Sequence, residues 1–245
     1  STGDAQNFGD LAKALRYSAG CSSNTRGLTF SGYEGPAYST TIYKTTIAST
    51  GSHASFGDVT PAGRLGHSCW SSQTRGIMFS GTDSGSNQDG KIKYVTIASD
   101  GNTVDFGDLV NGFNFRYGQS TGNKVRAIAL GGYQEPTAAS VNTIQFVTIS
   151  TLGDGTDFGD LTNIARDSLG TTSNGIRSVI HARDSGYADT TLDQLRPNTL
   201  GNSSSFGDLS FARVFAPSHS CMSSPTRGIF GGGVVNPGST NNDTI

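Results

Sequence analysis

The tripeptide Phe-Gly-Asp occurs five times at nearly even spacing: Phe8-Gly9-Asp10, Phe56-Gly57-Asp58, Phe106-Gly107-Asp108, Phe158-Gly159-Asp160 and Phe206-Gly207-Asp208. The steps between copies are 48, 50, 52 and 48 residues. A period of this size marks one supersecondary unit copied along the chain, as in propellers and solenoids. What recurs in every copy holds the copies together. It therefore speaks first about architecture and only then about chemistry.

The second copy is the clearest. Arg64-Leu65-Gly66-His67-Ser68-Cys69-Trp70 is followed by a polar turn and by Thr74-Arg75-Gly76-Ile77-Met78-Phe79, a short apolar run stopped by Gly81. After a polar stretch from Thr82 to Gly90 comes the alternating, β-branched run Ile92-Lys93-Tyr94-Val95-Thr96-Ile97. A turn at Asp100-Gly101-Asn102 then leads through Val104 into the next Phe-Gly-Asp. Four short β-prone runs separated by turn residues read as antiparallel strands. No window carries a sustained helical apolar period. Four strands per copy is a propeller blade, so the chain is expected to be one all-β domain over 1–245: a five-bladed propeller of four-stranded antiparallel blades. The fourth copy is the divergent one, with His181-Ala182-Arg183 where others have Gly and Leu195-Arg196-Pro197 where a third strand should run. Proline there predicts an edge or a broken strand. Ser1-Thr2-Gly3 matches Ser49-Thr50-Gly51, and Asp243-Thr244-Ile245 matches Asn142-Thr143-Ile144. Head and tail are thus complementary parts of one blade, which predicts closure by the N-terminal strand. The same match leaves the third strand of that blade short, as in a piece of a longer chain.

Composition narrows the function classes. Glycine is 34 of 245 residues with no three-residue period, and hydrophobic residues are only 33% but clustered. The net charge is −2 and no basic stripe is present, so no nucleic-acid partner is expected. No run approaches the roughly 18 apolar residues of a membrane-spanning helix, so no membrane insertion is expected. Ten of the 17 basic residues fall at two repeat positions: Arg16, Arg64, Arg116, Arg166 and Arg213, then Arg26, Arg75, Arg126, Arg177 and Arg227. The cysteines Cys21, Cys69 and Cys221 precede Arg26, Arg75 and Arg227 by five or six residues. That spacing assigns all three to one slot for a small buried side chain, with Ser120 and Thr171 near it in other copies. No C-x-x-C pair points to a metal, and no cofactor motif is present.

Each copy resembles a kelch repeat. Arg64-x-x-His67 is similar to the Arg-x-x-His of the kelch first strand, Gly131-Gly132 to its double glycine, and Phe-Gly-Asp-Leu stands in place of its Trp-x-x-Leu. The run Phe-Gly-Asp-Leu, Thr-Arg-Gly, Gly-Gly, Val-Thr-Ile also resembles repeats of virion and tail proteins of marine bacteriophages. That resemblance implies a virion or extracellular location, with other virion proteins or a host-surface glycan as partner.

The five repeat Asp residues and the repeat Arg residues are expected to serve the blades. Each Asp would accept backbone N–H bonds or pair with a repeat Arg, and each repeat Phe would pack between blades. A reaction centre needs different residues in different blades, and no nucleophile or acid–base motif is found. The expected function is a non-enzymatic interaction module. A carbohydrate-binding lectin is the alternative, and a five-bladed glycosidase a more distant one, since only Glu34 and Glu135 supply Glu. Specificity is expected in the segment between second and third strands, which varies from copy to copy. Tyr33, Glu34, Tyr133, Glu135, Asp184 and Tyr187 are the candidate ligand-binding residues there. Tyr33-Glu34 and Tyr133-x-Glu135 combine an aromatic face with a carboxylate, as sugar stacking plus hydroxyl bonding requires.

Overall fold

The computed structural model describes residues 4–35, 37–85, 89–110, 118–134, 139–165, 170–181, 189–213, 220–231, 234–235 and 240–241. The first sheet contains β1 (Leu15–Arg16), β2 (Ala19–Ser22), β3 (Arg26–Glu34), β4 (Ala37–Thr46) and β5 (Ala54–Asp58). The second contains β6 (Ser68–Ser71), β7 (Arg75–Phe79), β8 (Lys91–Thr96) and β9 (Val104–Asp108). The third contains β10 (Gln119–Gly122), β11 (Arg126–Gln134), β12 (Ala139–Thr148) and β13 (Thr156–Ala165). The fourth contains β14 (Gly170–Ser173), β15 (Ser178–His181), β16 (Asp189–Leu195) and β17 (Ser204–Arg213). Apart from β1, an extra short strand beside β3, the strands of each sheet form an antiparallel meander, and together they make a propeller arrangement of four four-stranded blades. In the fifth repeat the described strands are the pair β18 (Ser220–Ser223) and β19 (Gly228–Gly231) and the short pair β20 (Val234–Val235) and β21 (Thr240–Asn241).

The core lies between blades. Leu28, Phe30, Ile42, Phe56 and Val59 of the first blade cluster with Cys69, Met78, Val95 and Ile97 of the second. Ile77, Phe79, Ile92, Phe106 and Leu109 face the other way, onto Ala127, Ala129, Val147 and Ile149 of the third. Alternation along each strand produces this. On β7, Met78 looks back and Ile77 and Phe79 look forward, as the period of two requires.

Phe-Gly-Asp is a β-bulge that clips one blade to the next. In the second blade Ile92 pairs with Gly107 and Lys93 with Asp105, so Phe106 is the extra, unpaired residue. The bulge re-aims its side chain into the interblade core, where Phe56, Phe106 and Phe158 are all buried. It also frees the backbone: the Phe106 carbonyl accepts the Gly153 N–H at 3.0 Å and the Asp108 carbonyl the Gly155 N–H at 2.7 Å. The same pair of bonds joins Phe56 and Asp58 to Gly101 and Thr103, and Phe158 and Asp160 to Gly201 and Ser203. Glycine is required because a Cβ on Gly107 would lie 2.3 Å from the Gly153 carbonyl oxygen. Phe8 and Phe206 differ from the expectation that every repeat Phe is enclosed: they are 41% and 46% exposed.

A second bulge explains the glycine pair. Pairing of β11 with β12 shifts between Leu130 and Gly132, and Gly131 takes a φ of 52°. Ser31 and Ser80 occupy the same position in the first two blades, with φ of 21° and 36°.

The fourth blade corrects the expectation of a broken third strand. β16 pairs on both sides and ends at Leu195, before the proline. Pro197 sits where Ile97 and Ile149 donate an N–H to the preceding hairpin turn, so it costs one bond just beyond the strand. Its carbonyl still accepts the Arg126 guanidinium at 3.0 Å.

Candidate interaction surface

The antiparallel order puts the turns between first and second and between third and fourth strands at one end of each blade. The tip joining second and third strands lies at the other end. In the first and third blades this tip is an extended hairpin arm rather than the loop expected from sequence. Tyr33 pairs with Tyr38 and Glu34 with Ala37, while Tyr133 pairs with Ser140. Tyr33, Glu34 and Tyr133 are therefore strand residues, held by ladder bonds and half-buried. Glu135, Asp184 and Tyr187 lie outside the described residues.

The segment entering the first blade folds over its arm. β1 pairs Leu15 with Glu34 and Arg16 with Tyr33. Exposed Arg16 sets its guanidinium carbon 4.4 Å from the Tyr33 ring centroid and 5.7 Å from that of Tyr17, a cation between two aromatic faces. Tyr33 meets Tyr38 edge-to-face at 5.5 Å. Lys13 and Glu34 form an ion pair, and the Glu34 carboxylate raises the Lys13 pKa, through the hydrogen bond first and charge second. The result is a polar-aromatic rim of Lys13, Arg16, Tyr33, Glu34 and Tyr38. Lys13, Arg16 and Tyr38 were missed from sequence, because only the fold-back of β1 brings them to the candidate pair.

The recurring residues are engaged elsewhere. Arg26 donates to the Ile97 carbonyl at 2.9 Å and Arg75 to that of Ile149 at 3.0 Å, each reaching into the following blade. Arg75 and Arg126 also lie over Tyr94 and Phe146, at 4.9 and 4.6 Å. Those rings in turn meet Phe106 and Phe158 edge-to-face at 5.9 Å. Arg177 lies 5.9 Å from the Phe206 centroid. Arg227 is exposed, with its backbone N–H on the Ser224 hydroxyl at 3.0 Å. For three of the repeat Asp residues the structure gives side-chain partners other than backbone N–H or a repeat Arg. Asp58 accepts from the Thr40 hydroxyl at 2.8 Å, Asp208 from that of Thr190 at 3.0 Å, and Asp108 pairs with Lys91 at 2.7 Å. Their backbone N–H groups cross to the next blade: Asp58 to Asn102 at 2.9 Å, Asp108 to Asp154 at 2.9 Å, Asp160 to Asn202 at 3.0 Å. Asp10 reaches the Ser52 hydroxyl in the same manner at 3.2 Å.

Two slot assignments made by spacing are corrected. Arg64 is buried, bonded to the Gly81 carbonyl and paired with Asp89, whereas Arg16 is exposed on the rim. The strand registers show that Arg16 matches Leu65, since these residues oppose Tyr33 and Thr82. The cysteines also split. Cys69 and Cys221 oppose Met78 and Phe230, as Ser120 opposes Ala129 and Thr171 opposes Ile180. Cys21 opposes Leu28 and matches Trp70. Burial raises all three thiol pKa values, Cys21 to about 12 and Cys221 to about 11. Among the described residues no group of three or more His, Cys, Asp or Glu side chains is arranged to hold a metal ion.

No protein-family model matches the chain, and no curated protein matches it.

Proposed function

We propose that this chain is a non-enzymatic interaction module: a five-bladed, kelch-like propeller, closed by its N-terminal strand, that recognises its partner with the rim carrying the Tyr33 and Tyr133 arms. One observation carries this reading. The residues that recur in every blade are spent on blade-to-blade bonds, while the rim of the first blade gathers an aromatic and charged cluster with no such duty. Closure is supported by the N-terminal segment, whose Phe8 and Asp10 carbonyls accept the Gly51 and His53 N–H groups at 2.7 and 3.0 Å. These are the bonds that each outer strand makes to the next blade, so Phe8 to Asp10 occupy the outer-strand position of a blade preceding the first. In a closed ring that blade is the fifth repeat.

The repeat resemblance supports reading the module as part of a bacteriophage virion or tail, or of an extracellular surface, that docks on other virion proteins or a host glycan. The lectin reading has its own support in the Tyr33, Tyr38 and Arg16 faces beside the Glu34 carboxylate, since flat aromatic faces stack on sugar rings. A glycan array with the native chain and a variant carrying Ala at Tyr33, Glu34, Tyr133 and Glu135 tests the site. Binding by the native chain and its loss in the variant, at unchanged melting temperature, is the expected result. Equal binding by both moves the site off this rim, and silence of both removes the glycan as partner.

A further inference from the structure

The first strands of all five repeats, β2, β6, β10, β14 and β18, line one cavity of about 490 Å³ on the propeller axis. Each pairs with its second strand on one side only, so the other backbone edge is free. The five hairpin turns fix which groups that edge presents. Ser23, Ser72, Asn123, Asn174 and Ser224 donate N–H bonds of 2.8–3.1 Å to the carbonyls of Arg26, Arg75, Arg126, Arg177 and Arg227. Bonded and non-bonded pairs alternate along an antiparallel ladder. Counting back three pairs from each turn reaches Gly20, Cys69, Ser120, Thr171 and Cys221, all in non-bonded pairs. Their N–H and C=O groups point away from the second strand, at one level around the axis.

At this level hydroxyls cap two of the five carbonyls, so unpaired donors outnumber unpaired acceptors among the described residues. The Ser120 hydroxyl caps the Cys69 carbonyl at 2.7 Å, and the Thr171 hydroxyl caps the Ser120 carbonyl at 2.9 Å. The Thr171 N–H lies against the Cys221 sulfur, a weak acceptor. The N–H groups of Gly20, Cys69, Ser120 and Cys221 meet no acceptor among the described residues, and Cys69 and Ser120 are buried. A buried N–H left unpaired is costly, so this edge calls for an acceptor. Among the described residues the cavity lining contains no Asp or Glu. Its thiols stay neutral, because burial raises their pKa values.

We propose that the central channel binds a compact anion, a halide or the carboxylate or sulfate group of a small ligand, on this ring of convergent backbone N–H groups. Backbone concavities of this kind favour negative charge. Hydroxyl capping of the Cys69 and Ser120 carbonyls removes two opposing dipoles from the ring.

Bromide and chloride are the probes. A crystal of the native chain soaked in bromide should show an anomalous peak on the axis at the level of Cys69 and Ser120. In solution, the ³⁵Cl line should broaden in the presence of the protein, and bromide should reverse the broadening. Ser120→Ala combined with Thr171→Val uncaps two carbonyls and should weaken the competition at least about tenfold. Ser120→Asp, which puts a carboxylate beside the ring, should abolish it, with circular dichroism verifying the fold of each variant. Only water on the axis in the bromide crystal, or no chloride broadening with the native chain, overturns the proposal. So does unchanged competition in a folded Ser120→Asp variant. If neither variant folds, the native crystal and titration decide.

Discussion

At the scale of single residues, the repeat positions hold the blades together by packing and by backbone geometry. Phe106 is the unpaired residue of its bulge and is 3% exposed among side chains of two blades. Phe106→Ala should cost about 3–5 kcal/mol in chemical denaturation, the usual range for emptying a buried Phe site. A loss below about 1 kcal/mol would mean that the ring contributes little at the blade interface. His67 makes stability depend on pH. Burial lowers its imidazole pKa from 6.5 to about 4; the Arg64 charge adds to this and the Phe30 backbone opposes it. Among the described residues neither ring nitrogen makes a full hydrogen bond. The unfolded chain binds the proton first, so the contribution of His67 is whole above about pH 6.5 and is lost as the pH falls toward 4. The loss approaches about 3 kcal/mol. His67→Leu should flatten the stability profile across that window relative to the native chain, and a parallel profile would mean that His67 is hydrated.

At the scale of elements, the outer strand is the joint. Its bulge presents two carbonyls to the following blade, and the next turn answers with two N–H groups and an Asn, Asp or Ser side chain. The N-terminal segment makes the same joint with the first blade. Removing residues 1–11 deletes that joint and, in a closed ring, the fourth strand of the fifth blade. The exposed edge should lower the melting temperature and promote association seen by size-exclusion chromatography. Unchanged melting of the truncated chain would count against closure. The fourth blade shows how an element survives a local offence: Pro197 falls two positions past Leu195, the last residue of β16 that pairs with β15.

At the scale of the whole molecule, the scaffold and rim should separate in experiment. The fourfold rim variant should change stability little, because substitutions away from the core usually stay within about 0.5 kcal/mol each. Binding should fall, because aromatic and Arg anchors carry most interface energy. Asp58→Ala and Arg75→Ala should behave in reverse. Asp58 accepts the Thr40 hydroxyl, and Arg75 ties its blade to the Ile149 carbonyl and covers Tyr94. Both should destabilise the fold and weaken binding only in proportion to unfolding, as measured by denaturation beside the binding assay. Weaker binding at full stability would place these residues in the recognition site.

The period of the Phe-Gly-Asp copies determined the blade, its four strands and the central place of Phe56, Phe106 and Phe158, because each is a local pattern repeated often enough to stand above noise. The tertiary structure decided what depends on single-residue register. Spacing placed Cys21 with Cys69 and Arg16 with Arg64; pairing moved each by one residue, and a one-residue slip sends a side chain to the opposite face. The rim was legible at Tyr33 and Glu34, but not its strand character or its Lys13 and Arg16 neighbours, since these follow from a fold-back that no local periodicity records. The donor ring on the axis was invisible in sequence for a plainer reason: it is made of backbone, whose direction is set only when each first strand finds its partner.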